Sequence, residues 1–184
     1  MTTWVEGRQE FTFPPGWTVA KYDDSAWYRG TFGRLAFRTP LERAKGTPAV
    51  LSQPASQAAV DFIAVDVANQ LFLMIEVKDY RTAVLLPSEL ADVLARKVRD
   101  TLASLALVAT RPSADMFTFG QELAEARALR VYLDVQWPPN SPFSKLDRAN
   151  VQTKVTQLFS KLGIVALVID RPVPAGLWTV VDVP

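Results

Sequence analysis

The chain contains neither cysteine nor histidine. Without cysteine there can be no disulfide, no thiolate zinc site and no cysteine nucleophile. Without histidine there can be no Ser-His-Asp triad, no HExxH metalloprotease and no imidazole general base. Charge of one sign is also missing: 20 Lys and Arg face 19 Asp and Glu, leaving a net charge of +1. The strongly basic footprint of many nucleic-acid binders is therefore absent from the total, although total charge says nothing of a local patch. No apolar run approaches the roughly 18–20 residues needed to cross a bilayer. The opening MTTWVEGRQE has no basic start followed by an apolar stretch, so the expectation is a cytoplasmic protein with no membrane partner. Whatever chemistry exists must come from carboxylates, lysines, arginines, hydroxyls or a bound metal. Oxygen donors of that kind favour hard cations such as Mg²⁺, Mn²⁺ or Ca²⁺.

What is present suits one domain over residues 1–184, with 49% hydrophobic residues to build a core. Residues 1–15 are aromatic and short, an edge strand or an arm. In 17–37, Asp23, Asp24 and Ser25 are positioned to cap a short helix carrying Trp27 and Tyr28. Residues 39–56 hold prolines, a glycine and small polar residues and read as a long loop. Two strands follow, V-D-F-I-A-V-D over 60–66 and L-F-L-M-I-E-V-K over 71–78, joined by the turn-length 67–70 as an antiparallel hairpin. A helix of about six turns is expected over 88–110, with Ser88 as its cap and Arg111-Pro112 as its end. Strands over 130–136, 164–170 and 178–183, and a helix over 146–162 stopped by Gly163, complete a mixed α/β layer fold.

The hairpin register can be worked out. If Asp66 pairs with Leu71, Asp61 falls opposite Glu76, with Cβ atoms about 4.5–5.5 Å apart. Side chains alternate, so Lys78 shares the face of Glu76. Two carboxylates opposed at that range destabilise a strand pair and raise one pKa. A divalent cation between them removes both penalties, and a neighbouring ammonium suits a water or a phosphate oxygen. The chemistry that fits is phosphodiester hydrolysis. Asp61 and Glu76, with the Val77 carbonyl, would hold Mg²⁺ or Mn²⁺, and Lys78 would orient the attacking water or stabilise developing charge. The plainer alternative is a strand end with solvated charges.

The strings V-D-F-I-A-V-D and L-F-L-M-I-E-V-K-D-Y resemble the core of the PD-(D/E)XK nuclease superfamily, directly over residues 60–80 and loosely beyond them through element order. The resemblance implies a restriction-endonuclease-like central mixed β-sheet flanked by α-helices, and Mg²⁺-dependent cleavage of nucleic acid, chiefly DNA. It also implies a further acidic residue from the first helix, for which Asp24 is the choice. Val60 stands where the superfamily's motif has proline. The same fold can serve as a catalytically inactive binding or assembly module. One small domain cuts one strand, so double-strand cutting would require a homodimer.

Other residues stand around this set. Lys97 and Thr101 interrupt the apolar stripe Leu90, Val93, Leu94, Val98, Leu102 and Leu105. Lys97 either meets substrate phosphate at the metal site, as the resemblance implies, or snorkels from the helix flank. Arg81 is a second candidate substrate contact and Tyr80 a candidate for base stacking. Arg96, Arg99 and Asp100 read as a solvated face. Asp134 reads as structural rather than site-facing, and Asp66 as a turn residue. The aromatics of residues 4–37 are assigned to packing. Lys21, Arg29, Arg34, Arg38, Arg43 and Lys45, interleaved with them, make that segment the candidate substrate clamp.

Overall fold

A computed structural model describes residues 1–34, 57–81, 89–137, 144–170 and 172–183. The expected loop over 39–56, with Phe37, Arg38, Arg43 and Lys45, lies outside the described residues, as does Ser88.

The protein is mixed α/β. Among the described residues it has two sheets and four α-helices. Strands β3 (Trp17–Lys21), β4 (Phe62–Asp66), β5 (Leu71–Asp79), β6 (Ala128–Gln136) and β7 (Val165–Ile169) form one sheet in chain order. Its β3–β4 and β4–β5 pairs are antiparallel, and β5–β6 and β6–β7 are parallel. The β4–β5 register pairs Phe62 with Ile75 and Asp66 with Leu71, as expected. The turn holds because the Asp66 carboxylate accepts from Asn69 N (3.3 Å) and Asn69 Nδ2 (2.6 Å), while Gln70 takes a φ of 49°.

The apolar β4 and β5 side chains divide between two cores, because successive strand residues face opposite ways. Ile63, Val65, Phe72 and Met74 face the helices; Phe62, Ala64, Leu73 and Ile75 face a second sheet. Those strands therefore read as nearly continuous apolar runs. Full burial of such a side chain stabilises by about 1.5–3 kcal/mol. On the helical side, α2 (Leu90–Val108) buries Leu90, Leu94, Val98, Leu105 and Val108 against the sheet, and α4 (Ser144–Ser160) buries Val155 and Phe159. Gly163, at φ 68°, ends the turn after α4. The second sheet is β1 (Thr2–Glu6), β2 (Gln9–Phe13) and β8 (Thr179–Asp182), all antiparallel. Phe11 and Phe13 from β2 pack on Phe62, and Trp178 packs on Phe13 and Tyr132.

Three features differ from expectation. The N-terminal residues form a hairpin whose first strand is an edge strand, as expected, but the last strand of the chain pairs with its second strand. Strand β3 extends the main sheet beyond β4. A short helix α3 (Phe117–Glu125) crosses α2 at Gly120, where an added Cβ would sit 2.7 Å from Leu105 O and 2.8 Å from Ala109 N. Helix α1 (Ala26–Gly30) is capped as expected, with Ser25 Oγ accepting from Tyr28 N at 3.1 Å. Helix α2 begins at Leu90, with Glu89 in the cap position.

Candidate functional site

The site begins where β4 begins. Asp61 directly precedes the strand, and extending the Phe62–Ile75 pairing by one residue sets it against Glu76. Its backbone is fixed from two sides: Asp61 O accepts from Tyr22 N at 2.8 Å, and the neighbouring Val60 N donates to Thr101 Oγ1 on α2 at 3.2 Å. Its side chain turns toward β5, where Oδ2 accepts from Val77 N at 2.6 Å. In an antiparallel ladder the N–H and C=O of one residue face the same neighbour. The Val77 carbonyl therefore lies on the Asp61 side of β5.

Glu76 is fully buried on the helix-facing side of β5. Lys97, one α2 turn before Thr101, donates to both of its oxygens, at 2.6 Å to Oε1 and 2.8 Å to Oε2. The same ammonium is 3.6 Å from Asp61 Oδ1. Lys78 donates to Glu76 Oε1 from the same strand. Glu76 thus holds two ammonium groups, one from the sheet and one from the helix, and the helix's Lys97 also pairs with Asp61. Burial, reinforced by the charge on Asp61, pushes Glu76 up to about 7 despite the pull of Lys97 and Lys78. Burial alone would lower Lys78, but Glu76 and Asp61 outweigh it and hold the ammonium above its ordinary value.

The expected third carboxylate, Asp24, is not brought to this pair. It pairs with Lys21 at 3.0 Å and with Arg29. Asp23 Oδ1 is buried with no hydrogen-bond partner among the described residues. Burial, then repulsion from Asp61, pushes Asp23 up to about 6. Among the described residues, no three Asp, Glu, His or Cys side chains gather closely enough to form a metal site by themselves. The donors nonetheless suit a hard cation: all are oxygens, two are opposed carboxylates, and one orphaned oxygen lies nearby. Mg²⁺ in particular is commonly held by one or two carboxylates with its remaining positions filled by water and phosphate.

Arg81 is turned elsewhere, to Asp79 (2.7 Å) and Asp182 (2.8 Å). Asp134 faces the other core, where its Oδ2 accepts from Trp178 Nε1 at 3.3 Å. Tyr80 is half-buried beside the site: burial, then the Glu76 charge, holds its phenol above the ordinary range. Asp100 is not part of a solvated face. It is buried and accepts from Ala58 N at 3.1 Å and from Arg99 at 2.8 Å. Lys97, Asp100, Thr101 and Ser104 together form a polar stripe along α2. Ser104 Oγ accepts from Tyr22 Oη and from Trp27 Nε1 (2.8 Å), which ties the Asp23 segment to the same helix. The spacing of that stripe is visible in the sequence; the ion pairs that take up Asp24 are not, since either adjacent acid could have made them.

Comparisons with protein-family models, with curated proteins and with solved structures give no match.

Proposed function

We propose that this chain is a Mg²⁺- or Mn²⁺-dependent phosphodiesterase acting on nucleic acid, chiefly DNA, on a restriction-endonuclease-like core. The observation that supports this most is the buried Asp61–Glu76 pair with Lys78 and Lys97 bonded to it. Charge of both signs at one end of an otherwise apolar hairpin costs desolvation that packing alone does not offset. Asp61 and Glu76, joined by the Val77 carbonyl, would hold the cation, and Asp23, whose carboxyl feels the Asp61 charge, would be the nearer of the two turn acids to act through water. The cation would supply charge neutralisation at the phosphate and a more acidic water. Lys78 would fix that water by hydrogen bonding and offset negative charge as it develops. The Val77 N–H holds the Asp61 carboxylate in place. Tyr80 stands at the side of the site as a surface for a base or sugar. Cutting both strands of a duplex would call for a homodimer.

A second reading is favoured by one specific observation: Glu76 is already bonded to two ammonium groups. A permanently neutralised cluster would make the chain a non-catalytic binding or assembly module of the same fold. Incubation with Mg²⁺ or Mn²⁺ and linear, circular and single-stranded DNA, beside Lys78→Ala, separates the two. The enzyme reading expects metal-dependent cleavage by the wild type and its loss in Lys78→Ala. Intact DNA on every substrate would leave the module.

A further inference from the structure

Lys97 occupies the place that a bridging dication would take. Its Nζ is 2.6 and 2.8 Å from the two Glu76 oxygens and 3.6 Å from Asp61 Oδ1. Those oxygens are the ones a cation bridging the pair would need. Lys78, by contrast, donates to Glu76 Oε1 alone and comes from the strand, beside the pair rather than between its members. The two lysines therefore differ in kind. Lys78 holds Glu76 Oε1 alone and could stay while a metal took Glu76 Oε2 and Asp61 Oδ1; Lys97 could not, because it already contacts both of those oxygens. Lys97 has somewhere to go. It is carried on α2 by a four-carbon stem, its side chain is 19% exposed, and Glu76 and Asp61 are its hydrogen-bonding or ion-pair partners among the described residues.

We propose that Lys97 is a resident counter-cation: it holds Asp61 and Glu76 together until a divalent cation displaces it, so that metal and ammonium exchange at one site. This rests on the metal-dependent reading above and adds the order of events to it. The folded site needs no metal to form, because Lys97 offsets the carboxylate repulsion. Metal affinity is correspondingly lowered, since binding must break three close contacts. Once displaced, the ammonium lies at the mouth of the site as a free positive charge, where an anionic substrate arrives.

The test is calorimetric titration of Mn²⁺ into the wild-type chain and into Lys97→Met, Lys97→Gln and Lys78→Met, with thermal unfolding of each with and without Mn²⁺. Exchange predicts Mn²⁺ affinity at least about tenfold tighter in Lys97→Met, a change of about 1.4 kcal/mol, and a smaller gain in Lys78→Met. It also predicts that Lys97→Met melts below the wild type without Mn²⁺ and that saturating Mn²⁺ closes the gap. Lys97→Gln, which keeps a hydrogen-bond donor without the charge, should show the same gain if Lys97→Met fails to fold. Equal gains in the Lys97 and Lys78 variants would reduce the effect to general charge and overturn the exchange. Unchanged or weaker binding in both Lys97 variants, with the wild type binding, would overturn it while leaving the metal-dependent reading intact. Binding by the Lys97 variants but not by the wild type would support competition at one site and remove the metal-dependent reading for the natural chain. No binding by any form would remove both.

Discussion

Replacing Asp61 by alanine and by asparagine separates its two roles. The carboxylate accepts a 2.6 Å hydrogen bond from the Val77 N–H, and both residues are buried. Alanine leaves that N–H without an acceptor where water does not reach, which costs about 1–3 kcal/mol. Asparagine keeps an oxygen in place, so the bond survives in neutral form. Both substitutions remove the charge that helps push Glu76 up to about 7, so relief of repulsion is common to the two and cancels in the comparison. Asp61→Asn should therefore be more stable than Asp61→Ala by about 1–3 kcal/mol, and on the metal-dependent reading neither should bind Mn²⁺ or cut DNA. Urea unfolding at pH 8 in chelator measures this as a shift in midpoint with unchanged slope. Equal midpoints for the two variants would refute the claim that the Val77 bond positions Asp61.

The pH profile without added metal follows from Glu76. Its folded value of about 7 lies above the ordinary 4.5, so its contribution is fully present below about pH 4.5 and is lost as pH rises through about 7. Burial of a charge shifted that far amounts to about 3 kcal/mol. Urea midpoints should fall across that window, Asp23 adding in the same direction, and Mg²⁺ should flatten the fall. A rise over the same window would contradict the charge balance. The Gln152 side chain on α4 donates to Ala166 O (3.0 Å) and accepts from Val168 N (2.7 Å), filling the outer edge of β7 as another strand would. Gln152→Ala should lose about 1 kcal/mol and, with the V-A-L-V-I edge uncovered, associate with rising concentration in size-exclusion chromatography. An unchanged monomer fraction relative to wild type would count against that role. Gly120→Ala should cost about 1–3 kcal/mol through overpacking of α3 on α2, read by thermal unfolding, and a neutral result would mean that the helices can separate freely.

Much of the hairpin and its charges is legible in the sequence, for a physical reason. A period of two and a register fixed by a short turn leave one arrangement for Asp61, Glu76 and Lys78, and Asp66 holds that turn. The mid-stripe Lys97 stands out as an exception to the apolar pattern of α2, although its partner does not. Other features depend on tertiary contacts that no local pattern encodes. The β1–β2 hairpin and β8 meet across almost the whole length of the chain. The Trp17–Lys21 strand is short and becomes one through pairing with β4. Asp100 reads as solvated beside Arg99 because its acceptor role is toward Ala58, distant in sequence. Asp23 and Asp24 are chemically identical neighbours, and no local pattern says that Lys21 and Arg29 pair with Asp24.

The most direct measurement of the centre is the stoichiometry of Mn²⁺ bound by the intact chain, followed by electron paramagnetic resonance in the wild type and Asp61→Asn. A dication held between Asp61 and Glu76 requires a single Mn²⁺ site in the wild type and none in Asp61→Asn. Undiminished binding in Asp61→Asn, or no bound Mn²⁺ in the wild type, would contradict it.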